Sequence, residues 1–355
     1  MGGIAAFVGR PRALSLVRFG MKPLDHNAFD RNQAEAADTP ARHDAFMIRT
    51  RMNGSDWGIL VALALIWGGA FFFISVAVHA IQPLTYVWLR LTIASAGLWL
   101  FLWWKRDRIA LPRSVWGSIL LLAILNNALP FALFGWGQTH IASGLASILN
   151  ATTPIWGVLV AHFFTSDERM SPRKIAGVLL GFGGVATMIG PSLLSNLGSS
   201  ALAQLACVAA SFSYALAAVW ARRFRRMGLP PMTVTTGQLT AGALVMLPIA
   251  FVVDKPWTEP FPGLGPIAAI SALALLCTAF AYVLYFRLID RAGATNALLV
   301  TLLVPPTAIL LGALFLGETL APQDFLGLIL IAFGLAAIDG RLFGLLRPSA
   351  LRRAA

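Results

Sequence analysis

Long apolar runs alternate with short polar breaks along most of the chain. Between residues 57 and 343 these runs are roughly 20 residues long, and a helix rising about 1.5 Å per residue crosses about 30 Å of hydrocarbon over that length. The pattern therefore predicts an all-α integral membrane protein with ten transmembrane helices. Their predicted ranges are 57–79, 84–104, 115–137, 142–163, 174–192, 200–221, 232–252, 265–287, 293–314 and 323–343.

Composition supports the membrane assignment. Hydrophobic residues make up 58% of the chain and charged residues 12%, with a mean hydropathy of +0.75. A soluble domain keeps roughly a quarter of its residues charged, so this chain lacks the surface of a water-soluble protein. The two cysteines, Cys207 and Cys277, lie inside apolar runs, where a packing role is favoured over a disulfide or a metal site.

The positions of the basic residues predict the orientation in the membrane. With a cytoplasmic N-terminus, 25 of the 27 Lys and Arg residues fall in cytoplasmic segments, Lys255 lies outside and Arg90 lies within the second span. Leaving out five residues far from the first span still gives 20 against 1. The positive-inside rule then places both termini in the cytoplasm of a multi-pass inner (plasma) membrane protein. The net charge of +12 forms a rim along the bilayer, which argues against nucleic acid as a partner.

Two segments lie outside the predicted spans. Residues 1–56 have mixed charge and no apolar stripe, and they are interpreted as a disordered cytoplasmic tail or as the product of an upstream start codon, with the working start at Met47 or Met52. Residues 344–355 form a basic cytoplasmic tail.

The chain contains an internal repeat, 57–192 and 200–343, with five predicted helices in each copy. Because five is odd, the second copy enters the membrane upside down relative to the first. Inverted repeats are common in alternating-access transporters. The matched residues are Glu168 and Glu318, Pro172 and Pro322, Gly177 and Gly327, Gly184 and Gly334, Pro154 and Pro305, Pro83 and Pro231, and Arg90 and Gln238.

These residues, together with Trp67-Gly68 and the Gly-Glu pair at 317–318, resemble the drug/metabolite transporter superfamily. The match is to its ten-helix EamA-type branch, which includes YddG-like amino-acid exporters, and it covers about residues 57–343. The resemblance implies a transporter fold, and amino acids lead as substrates by analogy alone. The first repeat departs from the family pattern at residues 165–167, where Thr-Ser-Asp replaces the expected Leu-Gly.

Polar and aromatic residues within the spans mark a candidate substrate cavity. Polar side chains in hydrocarbon usually face the protein interior or a water-filled space. In the third span, residues 127, 131, 134 and 138 recur at helical spacing, and the eighth span carries a matching stripe 151 residues later. For small hydroxyl residues, hydrogen bonding between helices is the competing interpretation. The predicted substrate-binding residues are Trp67, Asn127, Phe131, Phe134, Asn150, Ser211, Tyr214, Thr278, Tyr282 and Asn296.

A second set of residues is predicted to have structural roles, as hinges or as contacts between helices, in what is called the frame of the protein below. Pro154 and Pro305 are candidate hinges. Arg90, about 9 Å below the outer surface, is interpreted first as structural, with snorkelling and contact with a substrate carboxylate as alternatives. The predicted close-packing residues are Gly177, Gly184, Gly327 and Gly334.

The sequence predicts export of small neutral or zwitterionic metabolites, such as aromatic or aliphatic amino acids, by alternating access between the repeats. No Asp or Glu lies in the middle of a span, which argues against carboxylate-based antiport of bulky cations. The sequence has no HExxH, GxSxG or phosphate-binding loop, so an enzyme, a cofactor or an ATP-driven pump is not predicted. A sensor or scaffold without transport, or an exporter of another metabolite class, is the alternative. The expected partners are a small-molecule substrate and the lipid bilayer, and a monomer is compatible with the sequence.

Overall fold

The computed structural model describes residues 52–107, 111–165, 170–194, 199–297 and 299–339. Within these ranges the regular structure is helical and no strand occurs. Residues 1–51 and 340–355, which hold nearly all of the two predicted tails, lie outside the described residues, as does Glu168. The ten long helices of the described residues are α1 (Gly54–Val78), α2 (Pro83–Lys105), α3 (Arg113–Gly137), α4 (Ser143–Phe164), α5 (Pro172–Leu194), α6 (Ser199–Arg226), α7 (Pro231–Val253), α8 (Leu264–Ala292), α9 (Val300–Leu316) and α10 (Pro322–Asp339).

The helix boundaries agree with the predicted spans to within a few residues, with exceptions at some ends. Helix α1 begins early because Asn53 accepts a hydrogen bond from the backbone of Asp56, whose carboxylate accepts one in return, a reciprocal N-terminal cap. Helix α6 continues to Arg226, and its last turn is basic, which suits the negative end of the helix dipole. Helix α9 starts later than predicted, after the short helical turn Ala294–Ala297.

Contacts between the two halves follow a two-fold pattern. Helix α1 packs on α8 and α9, and its repeat counterpart α6 packs in the same way on α3 and α4. Helices α2, α4 and α5 each pack against their own counterparts, α7, α9 and α10. Each of these contacts therefore recurs when the repeats are exchanged, and the fold is the predicted pair of inverted five-helix repeats.

The crossing of α5 and α10 brings the two backbones into direct contact. A Cβ atom added at Gly177 would lie 2.5 Å from the carbonyl oxygen of Gly334, and one at Gly184 would lie 2.7 Å from that of Gly327. Because the repeat relates Gly177 to Gly327 and Gly184 to Gly334, the two contacts are equivalent. Small residues permit this close approach of membrane helices.

The outer surface of the helices is apolar. Large side chains such as Trp103, Phe163 and Leu314 are 67–77% exposed, far more than a soluble protein tolerates over so wide an area. Seven of the helices are long and apolar enough to cross a membrane, and the apolar stretches Leu303–Leu316 and Pro322–Ile338 are shorter. The protein is a multi-pass membrane protein.

Helices α3 and α8 each contain a π-helical turn, at Ile124–Ala128 and Leu275–Phe280. A π turn inserts one residue into an α-helix and is frequent at functional sites. The two turns lie at equivalent positions of the repeats, about 151 residues apart, and the hydrophobic pattern did not reveal them.

The two proline-containing helices differ from each other. Helix α4 consists of Ser143–Asn150 and Thr153–Phe164, and Pro154 lies in the first turn of the second part, where a missing amide hydrogen costs nothing. Pro305, by contrast, lies inside the continuous helix Val300–Leu316 beside Pro306. The hinge role of both prolines stays a prediction.

Candidate functional site

A cavity of about 320 Å³ lies between the two repeats. Helices α1 to α4 of the first repeat and α6, α8 and α9 of the second contribute its walls. The lining residues are Trp67, Ala70, Phe71, Ile74, Arg90, Asn126, Phe131, Phe134, Asn150, Thr153, Tyr214, Cys277, Thr278, Tyr282, Tyr285, Thr301 and Val304.

The structure brings most of the predicted substrate-binding residues together at this cavity, although they come from five different helices. Arg90, which the sequence assigned first to the frame, also lines it. The residues of the predicted set that line the cavity are Trp67, Phe131, Phe134, Asn150, Tyr214, Thr278 and Tyr282.

Asn127 does not line the cavity. Asn126 occupies the position in the cavity wall that the sequence analysis assigned to Asn127. The prediction counted back one α-helical turn of four residues from Phe131. The π turn adds one residue, so the cavity face continues five residues back, at Asn126. Asn127 is fully buried, and its amide atoms have no hydrogen-bond partner among the described residues.

Ser211 and Asn296 are not among the lining residues, and the side chain of each makes a hydrogen bond to a backbone carbonyl. The hydroxyl of Ser211 lies 3.1 Å from the carbonyl oxygens of both Leu149 and Cys207, which ties α6 to α4. The Asn296 amide donates to the carbonyl of Ala292 at 2.8 Å. The contact of Ser211 with Leu149 matches the competing interpretation of hydrogen bonding between helices, whereas the contact of Asn296 is local.

Sequence reasoning left several lining residues out of the predicted set, although some carried a signal. Phe71 follows Trp67 by one helical turn, and Thr153 follows Asn150 by three residues, so each shares a face with a predicted residue. Thr301 lies 151 residues after Asn150, at the equivalent position of the second repeat.

Among the lining residues, Arg90 is the one with a positively charged side chain. Its side chain is buried, with a relative exposure of 6%. Its Nε donates to the hydroxyl of Thr278 at 3.1 Å and its Nη1 to the hydroxyl of Tyr86 at 3.0 Å. The guanidinium lies 3.6 Å from the centre of the Phe131 ring, close enough for a cation–π contact.

Aromatic rings form much of the remaining wall. The ring centres of Trp67 and Tyr285 are 5.2 Å apart, and Phe134 stacks on Tyr214 at 6.2 Å. These rings come from different helices of both repeats, so a molecule bound between them would contact both halves of the protein.

Several polar contacts join the repeats beside the cavity. Asn126 in α3 donates to the side-chain oxygen of Gln238 in α7 at 3.2 Å and lies 3.4 Å from the hydroxyl of Tyr282 in α8. In the other direction, Arg90 in α2 donates to Thr278 in the π turn of α8. Each π turn thus receives a polar contact from the opposite repeat.

Two further contacts join elements near the helix ends. The carboxylate of Glu318 accepts hydrogen bonds from the amide and hydroxyl of Ser143 and from the amide of Gly144, at the start of α4. A carboxylate at this place is favoured by the helix dipole. At the start of α1, Arg291 forms a 2.8 Å ion pair with the buried Asp56.

The composition of the cavity suits the binding of a small molecule. Its lining includes aromatic, amide and hydroxyl groups and one guanidinium, without Asp, Glu or His. In the described parts of the chain, no group of three or more His, Cys, Asp or Glu side chains could hold a metal ion. Such a wall can surround a small molecule and orient its charged end.

Comparison with known proteins agrees with this architecture. The chain is 26% identical over 281 residues to the uncharacterized transporter YoaV of Bacillus subtilis, covering 78% of this chain and 94% of YoaV. It is 26% identical to the uncharacterized inner membrane transporter YedA of Escherichia coli, covering 79% and 90% of the two chains. A solved crystal structure, 20% identical, superposes with a TM-score of 0.57 over 81% of this chain and 98% of that chain, which supports the fold. The EamA-like transporter family matches residues 56–190 and 201–338, one copy for each repeat, and the chain belongs to this family.

Proposed function

We propose that this membrane transporter exports small neutral or zwitterionic metabolites, with aromatic or aliphatic amino acids as the leading class. The observation that carries the proposal is a cavity formed by both repeats, whose wall contains several aromatic rings and the buried side chain of Arg90. Aromatic walls favour an apolar or aromatic side chain, and the polar groups beside them favour a polar end.

The size of the cavity supports a small substrate. Its volume of about 320 Å³ is at the lower end of the range of roughly 300–1,000 Å³ that is typical of small-molecule sites. A single amino acid suits this space better than a bulky drug. The absence of acidic residues from the lining argues further against organic cations as substrates.

Alternating access is the proposed mechanism. Because the contacts between the repeats are two-fold related, exchanging the conformations of the two halves would turn the cavity from one side of the membrane to the other. The break in α4 before Pro154 and the two prolines within α9 are the proposed bending points. The distribution of Lys and Arg supports an inner-membrane protein with both termini in the cytoplasm.

The test is efflux from cells preloaded with amino acids through dipeptides, with and without the protein. We expect faster release of a subset of amino acids. Trp67→Ala removes a cavity wall and should abolish that gain, whereas Trp103→Ala, at a 76% exposed site on the outer surface, is the matched control. Unchanged release of every amino acid, with the protein present in the membrane, would contradict the proposed substrate class.

A further inference from the structure

Arg90 is buried within the membrane-spanning part of the protein without a counter-ion. Its two hydrogen-bond acceptors, Thr278 and Tyr86, are neutral hydroxyls, and no carboxylate of the described residues pairs with it. A charged side chain at this depth is unfavourable by several kcal/mol unless it is neutralised, and such residues usually mark a substrate or ion path.

The frame of the protein does not require a cation at this position. The equivalent residue of the second repeat is Gln238, which is also buried and which accepts a hydrogen bond from Asn126. Gln238 does not line the cavity, whereas Arg90 does. A neutral side chain therefore packs at this position in the second repeat. The positive charge of Arg90 in the first repeat is better explained by its place in the cavity wall.

The orientation of Arg90 leaves its charge available. The side chain does not reach the membrane surface, because its guanidinium lies over the Phe131 ring and its Nε and Nη1 are held by hydroxyls. A guanidinium has five N–H groups, and two of them have acceptors here. A planar group fixed on one face presents its remaining donors in its plane, in the geometry that suits a carboxylate.

We propose that Arg90 binds the carboxylate of the transported solute, while the aromatic rings around Trp67 and Tyr282 surround its remaining part. This inference rests on the proposed function and narrows it to solutes with one carboxylate, including zwitterions. In the loaded cavity the carboxylate pairs with the guanidinium of Arg90, whereas in the empty cavity that guanidinium has no counter-ion among the described residues. Closing the cavity around its substrate is accordingly easier than closing it empty.

The experiment measures binding to the purified full-length protein in lipid nanodiscs by calorimetry, with matched acid and amide probes. The pairs are L-phenylalanine with L-phenylalaninamide, and phenylacetate with phenylacetamide. We expect the acids to bind wild type more tightly than the amides. Arg90→Gln, which installs the residue of the second repeat, should weaken acid binding by about 10- to 100-fold and leave the binding of the neutral phenylacetamide within about twofold.

Two further variants separate this role from a structural one. Arg90→Lys keeps the charge but loses the planar fork, so it should recover part of the preference for acids. Thr278→Val removes the hydroxyl that orients Nε and should reduce that preference even if Arg90→Gln fails to fold. Equal binding of acids and amides by wild type, or an equal loss for both in a folded Arg90→Gln protein, would overturn the proposal.

The results also distinguish this inference from the proposed function. If cells release amino acids but folded Arg90→Gln releases them at the wild-type rate, the role of Arg90 is wrong and the exporter stands. If no amino acid is released but phenylacetate binds in an Arg90-dependent manner, the carboxylate site stands and the transported class is another carboxylate.

Discussion

The two repeats share one frame but present different chemistry to the cavity. In the frame, Gly184 meets Gly327 and Gly177 meets Gly334 through equivalent backbone contacts. At the cavity, the first repeat supplies the cation Arg90, and at the matching position the second repeat has Gln238, which stays outside the lining.

The aromatic walls differ in a similar way. The second repeat supplies the phenols Tyr282 and Tyr285, and the equivalent residues of the first are Phe131 and Phe134. The proposed alternating access needs two halves that can exchange conformations, and a symmetric frame would provide them. A small metabolite has no such symmetry. Walls of unequal polarity fit one orientation of it, and we infer that the repeats diverged at the cavity for this reason.

The largest loss of stability is expected at the crossing of α5 and α10, where the two backbones are in direct contact. Gly184→Ala places a methyl group 2.7 Å from the backbone oxygen of Gly327, so α5 and α10 must separate. We expect a loss of about 1–3 kcal/mol in the free energy of unfolding, measured as a lower melting temperature in detergent. Gly183→Ala is the control, since no atom lies within 4 Å of its Cβ position. Equal melting temperatures for the two variants would contradict the contact.

The second largest loss of stability is expected at Glu318, whose side chain joins the second repeat to the first. Glu318→Ala removes the acceptor of three hydrogen bonds from Ser143 and Gly144 and leaves the first amides of α4 without it. The expected destabilisation is about 0.5–2 kcal/mol, as for the loss of a side chain that caps a helix N-terminus. Glu259→Ala, in the exposed loop before α8, should leave the melting temperature unchanged. A Glu318→Ala protein as stable as this control would show that the contact does not support the frame.

A smaller effect tests the polarity of the walls. Tyr282→Phe makes the second repeat resemble the first at this position and removes the hydroxyl that lies 3.4 Å from the Asn126 amide. We expect about a 2- to 10-fold loss of substrate affinity with unchanged membrane abundance. The measurement is concentration-dependent efflux, with the reciprocal variant Phe131→Tyr alongside. Unchanged affinity would indicate that the phenol at this wall does not contribute to binding.

The smallest effect tests the π turn. Asn127→Leu replaces a buried amide that has no partner among the described residues, so substrate affinity should not change and stability should hold or rise slightly. Asn126→Leu removes a cavity-lining group and its contact with Gln238, so affinity should fall. Equal losses of transport for both variants would argue against the register of α3 described here.

The spans, the repeat and seven of the cavity-lining residues followed from the sequence because they depend on local composition and spacing. Trp67, Tyr282 and Asn150 are polar or amphipathic residues in apolar helices, which have few favourable places except the interior. The glycine pairs were recognisable because they recur at a constant offset of 150 residues. In contrast, nothing in the composition of α3 distinguished Asn126 from Asn127.

The sequence by itself thus determined that the chain spans the membrane as two related halves, since hydrocarbon imposes length and polarity on each helix separately. Tertiary structure alone decided the register at the π turns, and with it which asparagine of α3 faces the cavity. In α3, the hydroxyl of Ser213 in α6 donates to the carbonyl of Leu125 within the π turn, and the side chain of Thr278 bonds to the Leu273 carbonyl at the turn of α8. The extra residue in α3 is stabilised by a partner about 90 positions away along the chain, and no local pattern encodes that distance.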